Sequence, residues 1–276
     1  MPRTSPSSAT VSPAASSRER PAPDGLCAVH QPNLFPRLTT LAKLFAADYW
    51  IVLEDVQFTR RDYQHRARIA DLDDPAHQRW LTIPTRLPSG RSTLIRDALI
   101  DDAALAGRRT AGMLRQHYGS SPHWPALARA LDPVTDAFTT GRTATVAEVS
   151  TRCLLGLLGW RGQILASSDL PTRSGRSERL ADLATATGAR AYLCGTGGMT
   201  YLDPAPFAAQ NITVTPFQAP ATGIWSCGRR LSALWALATL GPESVTARFH
   251  TLAAAHRPML EAVARPRPPQ THAAYR

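Results

Sequence analysis

Lysine is almost absent from this chain. Lys43 is the single one, so arginine supplies 30 of the 31 basic side chains. A lysine in such a background draws notice, because an ammonium is compact and lowers its pKa on burial where a guanidinium does not. Cysteine is scarce too. Cys27, Cys153, Cys194 and Cys227 stand far apart, with no CxxC pair and no histidine clustered beside them. That spacing excludes a disulfide scaffold and offers no structural zinc set, so no metal is expected and free thiols in a cytoplasmic setting are. No apolar run approaches the roughly 18 residues of a membrane-spanning helix, and no signal-type apolar segment opens the sequence, so no membrane partner is expected. The GxGxxG fingerprint, the P-loop GK[ST] and the GxSxG elbow are all missing, which disfavours an α/β-hydrolase and leaves no strong phosphate motif.

What is present suffices for a core. With 276 residues and 43% hydrophobic content, the chain makes one large domain or two small ones. Its net charge is +10. Residues 1–24 are Ser, Pro, Ala and Arg, carry +1, and are expected to be a disordered tail. The Pro/Arg-rich stretch 257–276 carries +3 and is expected to be loose, which leaves +6 on the expected domain, 25–256. A basic fold suits an anionic partner such as a nucleotide, a phosphorylated substrate or a nucleic acid. No nucleic-acid motif with a known docking mode appears, and an arginine-rich composition is an alternative source of the charge.

Hydrophobic patterning predicts an α/β fold with a mainly parallel sheet flanked by helices. Leu26 to Val29 reads as a buried strand running into the His30-Gln31-Pro32-Asn33 loop, where Pro32 and Pro36 exclude helix. A helix over 38–46 and a strand over 49–53 complete a βαβ unit. Strands are expected at 63–70, 80–83, 163–166, 190–194 and 212–217. Helices are expected at 178–187, 230–240 and 243–256, with a helical insertion near 102–160.

Several segments carry a resemblance. His30-Gln31-Pro32-Asn33, Lys43, Asp48, Asp55-Val56-Gln57-Phe58, Gln64, Arg66 and Arg68 resemble the opening of the WbqC-like protein family, HQPxxxPW followed by DDVQF and QNRxRI. Trp80 to Pro84 is similar to its WLTIP strand. Tyr192 to Gly195 with Tyr201-Leu202-Asp203 resembles its YLSG…YLD segment, and Leu231-Ser232 with Gly241-Pro242 resembles its LSxxDxLFNxGP helix. The departures are Arg37 for the family's Trp, Glu54 for its first Asp, His65 for its Asn, Cys194 for its Ser, and Trp235 and Thr239 where its last helix has Asp and Asn. The family is associated with polysaccharide and natural-product gene clusters, so the resemblance implies tailoring of sugars or small metabolites without supplying a mechanism.

The candidate site follows from position. His30 and Gln31 stand at the C-terminal end of the first strand, the edge where open α/β sheets bind ligands. His30, Asp55 and Lys43 are the expected catalytic groups, with His30 and Asp55 deprotonating an amine or orienting the base. Gln31, Asn33, Gln57, Arg60, Gln64, Arg66, Arg68, Gly195 and Gly197 are the expected substrate contacts, the arginines for an anion and the glycines for phosphate. These residues fit a transferase that makes an acyl or aminoacyl amide on an amino sugar or amine-bearing metabolite, with the substrate carried as a nucleotide sugar or similar anionic conjugate. A nucleotide or aminoacyl donor, including an aminoacyl-tRNA, stays open. So do a nucleotide-dependent ligase or nucleotidyltransferase and a ligand-binding protein without catalysis.

Overall fold

The computed structural model describes residues 25–257, and the two predicted tails lie outside the described residues. At the centre are five parallel strands, β1 (Leu26–His30), β2 (Tyr49–Val52), β7 (Gln163–Ala166), β8 (Ala191–Gly195) and β9 (Thr213–Phe217), in the order β7-β2-β1-β8-β9. Strand β1 is apolar along almost its whole length, as a strand covered on both faces must be. Leu26 and Ala28 point to one face, where they meet α1 (Leu38–Ala46) and its neighbours. Cys27 and Val29 point to the other, against α5 (Arg176–Ala186) and the short α7 (Ala205–Ala208).

The strand order reverses direction at one place. The chain leaves β1 outward through β2 to β7, then returns to the other flank of β1 to lay down β8 and β9. β1 and β2 pair along four residues, but β1 and β8 pair only at Leu26–Ala191 and Cys27–Tyr192. Beyond Cys27 the two strands part, and a crevice opens between their C-terminal ends. This is the topological switch point at which doubly wound sheets take their ligands.

Between β2 and β7 comes a long excursion. It starts with the antiparallel pairs β3 (Arg66–Ala70) with β4 (Gln78–Thr82), and β5 (Thr85–Arg86) with β6 (Leu99–Ile100). Helices α2 (Ala103–Tyr118), α3 (Trp124–Ala137) and α4 (Thr143–Leu157) follow, where the sequence predicts its helical insertion. The strands expected near 63–70 and 80–83 do form, as an antiparallel pair separate from the central sheet. Their alternation explains this: Arg66 and Arg68 face outward with Trp80, and Ala67, Ile69, Ala70 and Leu81 are buried. A one-sided strand suits an antiparallel ribbon, whereas β1 and β2 are apolar on both sides. The chain closes with α9 (Ala233–Leu240), capped by the Ser232 hydroxyl, and α10 (Pro242–His256), which pack on α1. Two further one-turn helices, α6 (Thr196–Met199) and α8 (Trp225–Gly228), lie after β8 and before α9.

Trp50 ties the sheet to the loop after β1. It is 0% exposed, and its indole N–H donates to the His30 carbonyl at 3.2 Å. Trp50→Ala removes that bond and leaves a large cavity, so urea unfolding should show a loss of about 3–5 kcal/mol.

Candidate functional site

The crevice between β1 and β8 widens into a cleft of about 960 Å³. Its floor is made by Val29, His30, Gln31, Asn33, Lys43 and Cys194. The loop that carries the first of these is tightly held. Ser150 of α4 accepts from the Phe35 N–H at 2.8 Å, Thr151 donates to the Asn33 carbonyl at 3.0 Å, and the Leu34 N–H donates to the Tyr63 carbonyl at 2.9 Å. Held this way, Phe35 adopts φ of 41°, a left-handed conformation that a bulky aromatic avoids. Such strain persists only where the surroundings over-determine it, and it is commonly found at functional sites.

His30 uses its Nδ1 to reach the Gln31 carbonyl at 2.8 Å. A carbonyl only accepts, so Nδ1 carries the proton and Nε2 keeps its lone pair. Burial, reinforced by the charge of Lys43, lowers the His30 pKa to about 3, so the ring is neutral. Lys43 lies beneath the crevice, 5% exposed, with Nζ 3.4 Å from the Val29 carbonyl at the place where β8 has left β1. Burial lowers its pKa to about 8, against the opposing pull of Cys194 and Cys27. Those thiols are themselves pushed up by burial, Cys27 to about 12, so neither is a ready nucleophile.

The walls are strongly cationic. Arg37, Arg173, Arg176, Arg179 and Arg229 join Lys43 in lining the cleft, against one carboxylate, Asp62. Arg173 is clamped by Asp182 and Arg179 by Asp55, whereas Arg37, Arg176 and Arg229 form no ion pair among the described residues. Residues 172–176 lead into the N-terminus of α5, where the first-turn N–H groups have no intrahelical acceptor. Gly175 makes this entry possible, with φ of 112° and a position where a Cβ would strike the Glu178 carboxylate at 2.4 Å. An anion in the cleft would meet guanidinium groups and a helix N-terminus together.

Of the residues singled out in the sequence, the cleft gathers His30, Gln31, Asn33, Lys43, Gly195 and Gly197. The others lie outside its lining. Asp55 accepts from Ser167 and Arg179 rather than from His30; burial opposes its ionisation, but those two partners hold it below the usual carboxylate range. Gln57 donates to the Arg91 carbonyl at 2.6 Å, and Arg60 is exposed on the surface. Gln64 is fully buried and donates to the Gln31 side chain at 2.8 Å, so it supports the floor from behind. Arg66 and Arg68 stack on Trp80, 4.3 and 4.5 Å from its ring centre. Trp235 and Thr239 do not line the cleft either; Trp235 is a packed side chain donating to the Asp71 carbonyl at 3.2 Å. The wall arginines were missed by sequence reading. Their signal was the run Thr172-Arg173-Ser174-Gly175-Arg176-Ser177 just ahead of a helix.

Comparison with known proteins adds a family. Residues 31–245 match the model of the WbqC-like protein family. The chain is 27% identical over 195 residues to the uncharacterized protein Rv1507c of Mycobacterium tuberculosis, covering 69% of this chain and 80% of that protein. No solved structure matches.

Two consequences concern pH. His30 and His65 have folded pKa values of about 3 and 4, both lowered chiefly by burial, against 6.5 in the unfolded chain. The unfolded chain therefore binds more protons below pH 6.5, and stability must fall as pH drops from 6.5 toward 4, before most carboxylates titrate. Melting curves across that window should show the fall, and His65→Gln should make it shallower. Lys43 gives the opposite limb. Its charge is lost as pH rises through about 8, so titration of the protein with UDP, as a diphosphate probe, should show weaker binding above that pH, with the inflection absent in Lys43→Met.

Proposed function

The chain belongs to the WbqC-like protein family, and from that premise we propose that it is a biosynthetic transferase forming an acyl or aminoacyl amide on an amine-bearing, anionic substrate such as a nucleotide-linked amino sugar. The observation that carries the reading is the charge asymmetry of the cleft, five arginines and Lys43 against Asp62, around a neutral imidazole with an open Nε2. Arg176 and Arg229 hold the anionic end of the substrate, because their guanidinium groups have no carboxylate partner among the described residues to give up. Asp55 is a positioning residue that fixes Arg179 by hydrogen bond and charge.

His30 is the general base. In the empty cleft burial, with the charge of Lys43 added to it, keeps its ring neutral, and a bound polyanion offsets the Lys43 contribution and raises its basicity as the substrate arrives. The substrate amine attacks the acyl carbonyl, Nε2 takes the amine proton, and the leaving group departs with it. The proton thus returns to solution on the leaving alcohol or thiol, and no net charge remains on the enzyme. An aminoacyl ester, including an aminoacyl-tRNA, fits the donor role in this scheme.

The test is direct. Incubation with a nucleotide-linked amino sugar and activated acyl donors should give an amide product by mass spectrometry. His30→Ala should lower kcat by about 10²–10⁴-fold. Arg176→Ala with Arg229→Ala should raise KM for the anionic substrate with little change in kcat. Undiminished turnover in His30→Ala sinks the mechanism. Release of AMP or pyrophosphate from ATP during turnover replaces simple transfer by the ligase reading, which the strand order at the cleft also accommodates.

A further inference from the structure

Three large apolar side chains stand exposed among the described residues, Trp80, Met199 and Tyr201. Met199 and Tyr201 follow directly on Thr196, Gly197 and Gly198, which line the cleft. Tyr201 is 67% exposed, yet its backbone is fixed on both sides. The Tyr201 N–H donates to the Gly198 carbonyl at 3.0 Å, and the Asp203 N–H donates to the Ser177 hydroxyl at 3.0 Å. Leu202 between them packs against the core on the α5 side of the sheet. The first turn of α5, which carries Arg176 and Ser177, thus holds the Tyr201 loop beside the cleft.

An exposed aromatic by itself needs no explanation. Tyr201 has a second feature: the guanidinium of Arg176, a wall residue of the cleft, lies 5.2 Å from its ring centre. A guanidinium stacks with its plane and donates from its edge, so Arg176 can face the ring and still offer N–H groups to an anion. The other aromatic rings that carry arginine are already occupied. Tyr63 has Arg37 over it at 4.4 Å and the Trp80 ring at 5.8 Å, and Trp80 has both Arg66 and Arg68. Arg176 is the single ring contact of Tyr201 among the described residues, which leaves room for a second flat group. The cleft is also larger than an anion needs. At about 960 Å³ it stands near the top of the roughly 300–1,000 Å³ range of small-molecule sites, and a diphosphate fills only part of it.

Resting on the transferase reading, we propose that Tyr201 and Arg176 form a nucleobase subsite at the lip of the cleft. The base of a nucleoside diphosphate conjugate stacks on the Tyr201 ring. Its diphosphate lies against Arg176 and Arg229, and the conjugated sugar points toward His30 at the floor. Stacking on an aromatic ring accepts any base, because every base has a π face. The subsite therefore recognises the nucleotide carrier as a class and leaves the choice of sugar to the floor. No bond forms or breaks at Tyr201. Its contact is remote from the reacting amine and acts by binding and positioning.

Two probes separate the lip from the walls. Inorganic pyrophosphate carries the anionic part without a base, and UDP carries both. In calorimetric titrations of the full chain, Tyr201→Ala should weaken UDP binding by about 5–150-fold, the range for one base on one aromatic ring, and leave pyrophosphate binding unchanged. Retained pyrophosphate binding also reports that the variant is folded. Tyr201→Phe should bind both probes as the wild type does, because stacking needs the ring and not the hydroxyl. Arg176→Ala should weaken both. With the full reaction, Tyr201→Ala should raise KM for the nucleotide-linked substrate with little change in kcat. Unchanged UDP affinity in Tyr201→Ala, or an equal loss for both probes, overturns the subsite and leaves the anionic-substrate reading standing. A wild-type protein that binds neither probe overturns that reading and the subsite with it.

Discussion

The parting of β1 from β8 after Cys27 is the constraint on which the rest of this molecule depends. A parallel ladder that ran on to His30 and Gly195 would fill the crevice with backbone hydrogen bonds and leave nothing for a ligand. Because pairing stops at Tyr192, the Val29 carbonyl faces a gap, and Lys43 reaches into it from α1. The same gap admits the floor of the cleft. The βαβ connectivity brings a histidine, a lysine and a cysteine from three separate elements to one point, which no local motif could do.

Electrostatics then works at two depths. At the mouth the arginines are partly solvated, so holding their charge costs little, and Asp55 and Asp182 fix two of them in place. At the floor, charge is costly. Burial lowers both His30 and Lys43, the charge of Lys43 lowers His30 further, and both groups shift toward neutrality. A ligand bearing negative charge relieves both shifts at once. Binding and proton uptake are therefore linked, and the protonation state of the floor depends on what occupies the mouth.

Much of this was legible in the sequence. The α/β class followed from alternating runs, and β1, β2 and β7 to β9 were found within a residue or so, because buried parallel strands are short continuous apolar runs bounded by turns. His30, Gln31, Asn33 and Lys43 were legible through strand-end position, through lysine scarcity and through the family resemblance. Asp55 illustrates what was not. Its position just after β2 suggested nearness to His30, but β2 ends at Val52 and the chain bends away before Asp55. The carboxylate meets Arg179 and Ser167 instead, residues more than a hundred positions later. The wall arginines were hidden for a related reason. In a chain with 30 arginines, no single one stands out until the fold shows which share a cleft.

The lysine itself can now be understood from the site. Every other basic group in the lining of the cleft stands where solvent or a carboxylate can reach it, and a guanidinium suits that position. Lys43 is 5% exposed and has no carboxylate partner among the described residues. A guanidinium there would keep its full charge at any accessible pH and with it the full desolvation penalty, because arginine does not shed its proton. An ammonium escapes this by lowering its pKa, here to about 8. It is still mostly charged at neutral pH, so it can serve as a donor at the floor, and it can shed its proton at alkaline pH, which a guanidinium does not do. A group under these two demands must be both compact and titratable, and lysine is the basic side chain that is both.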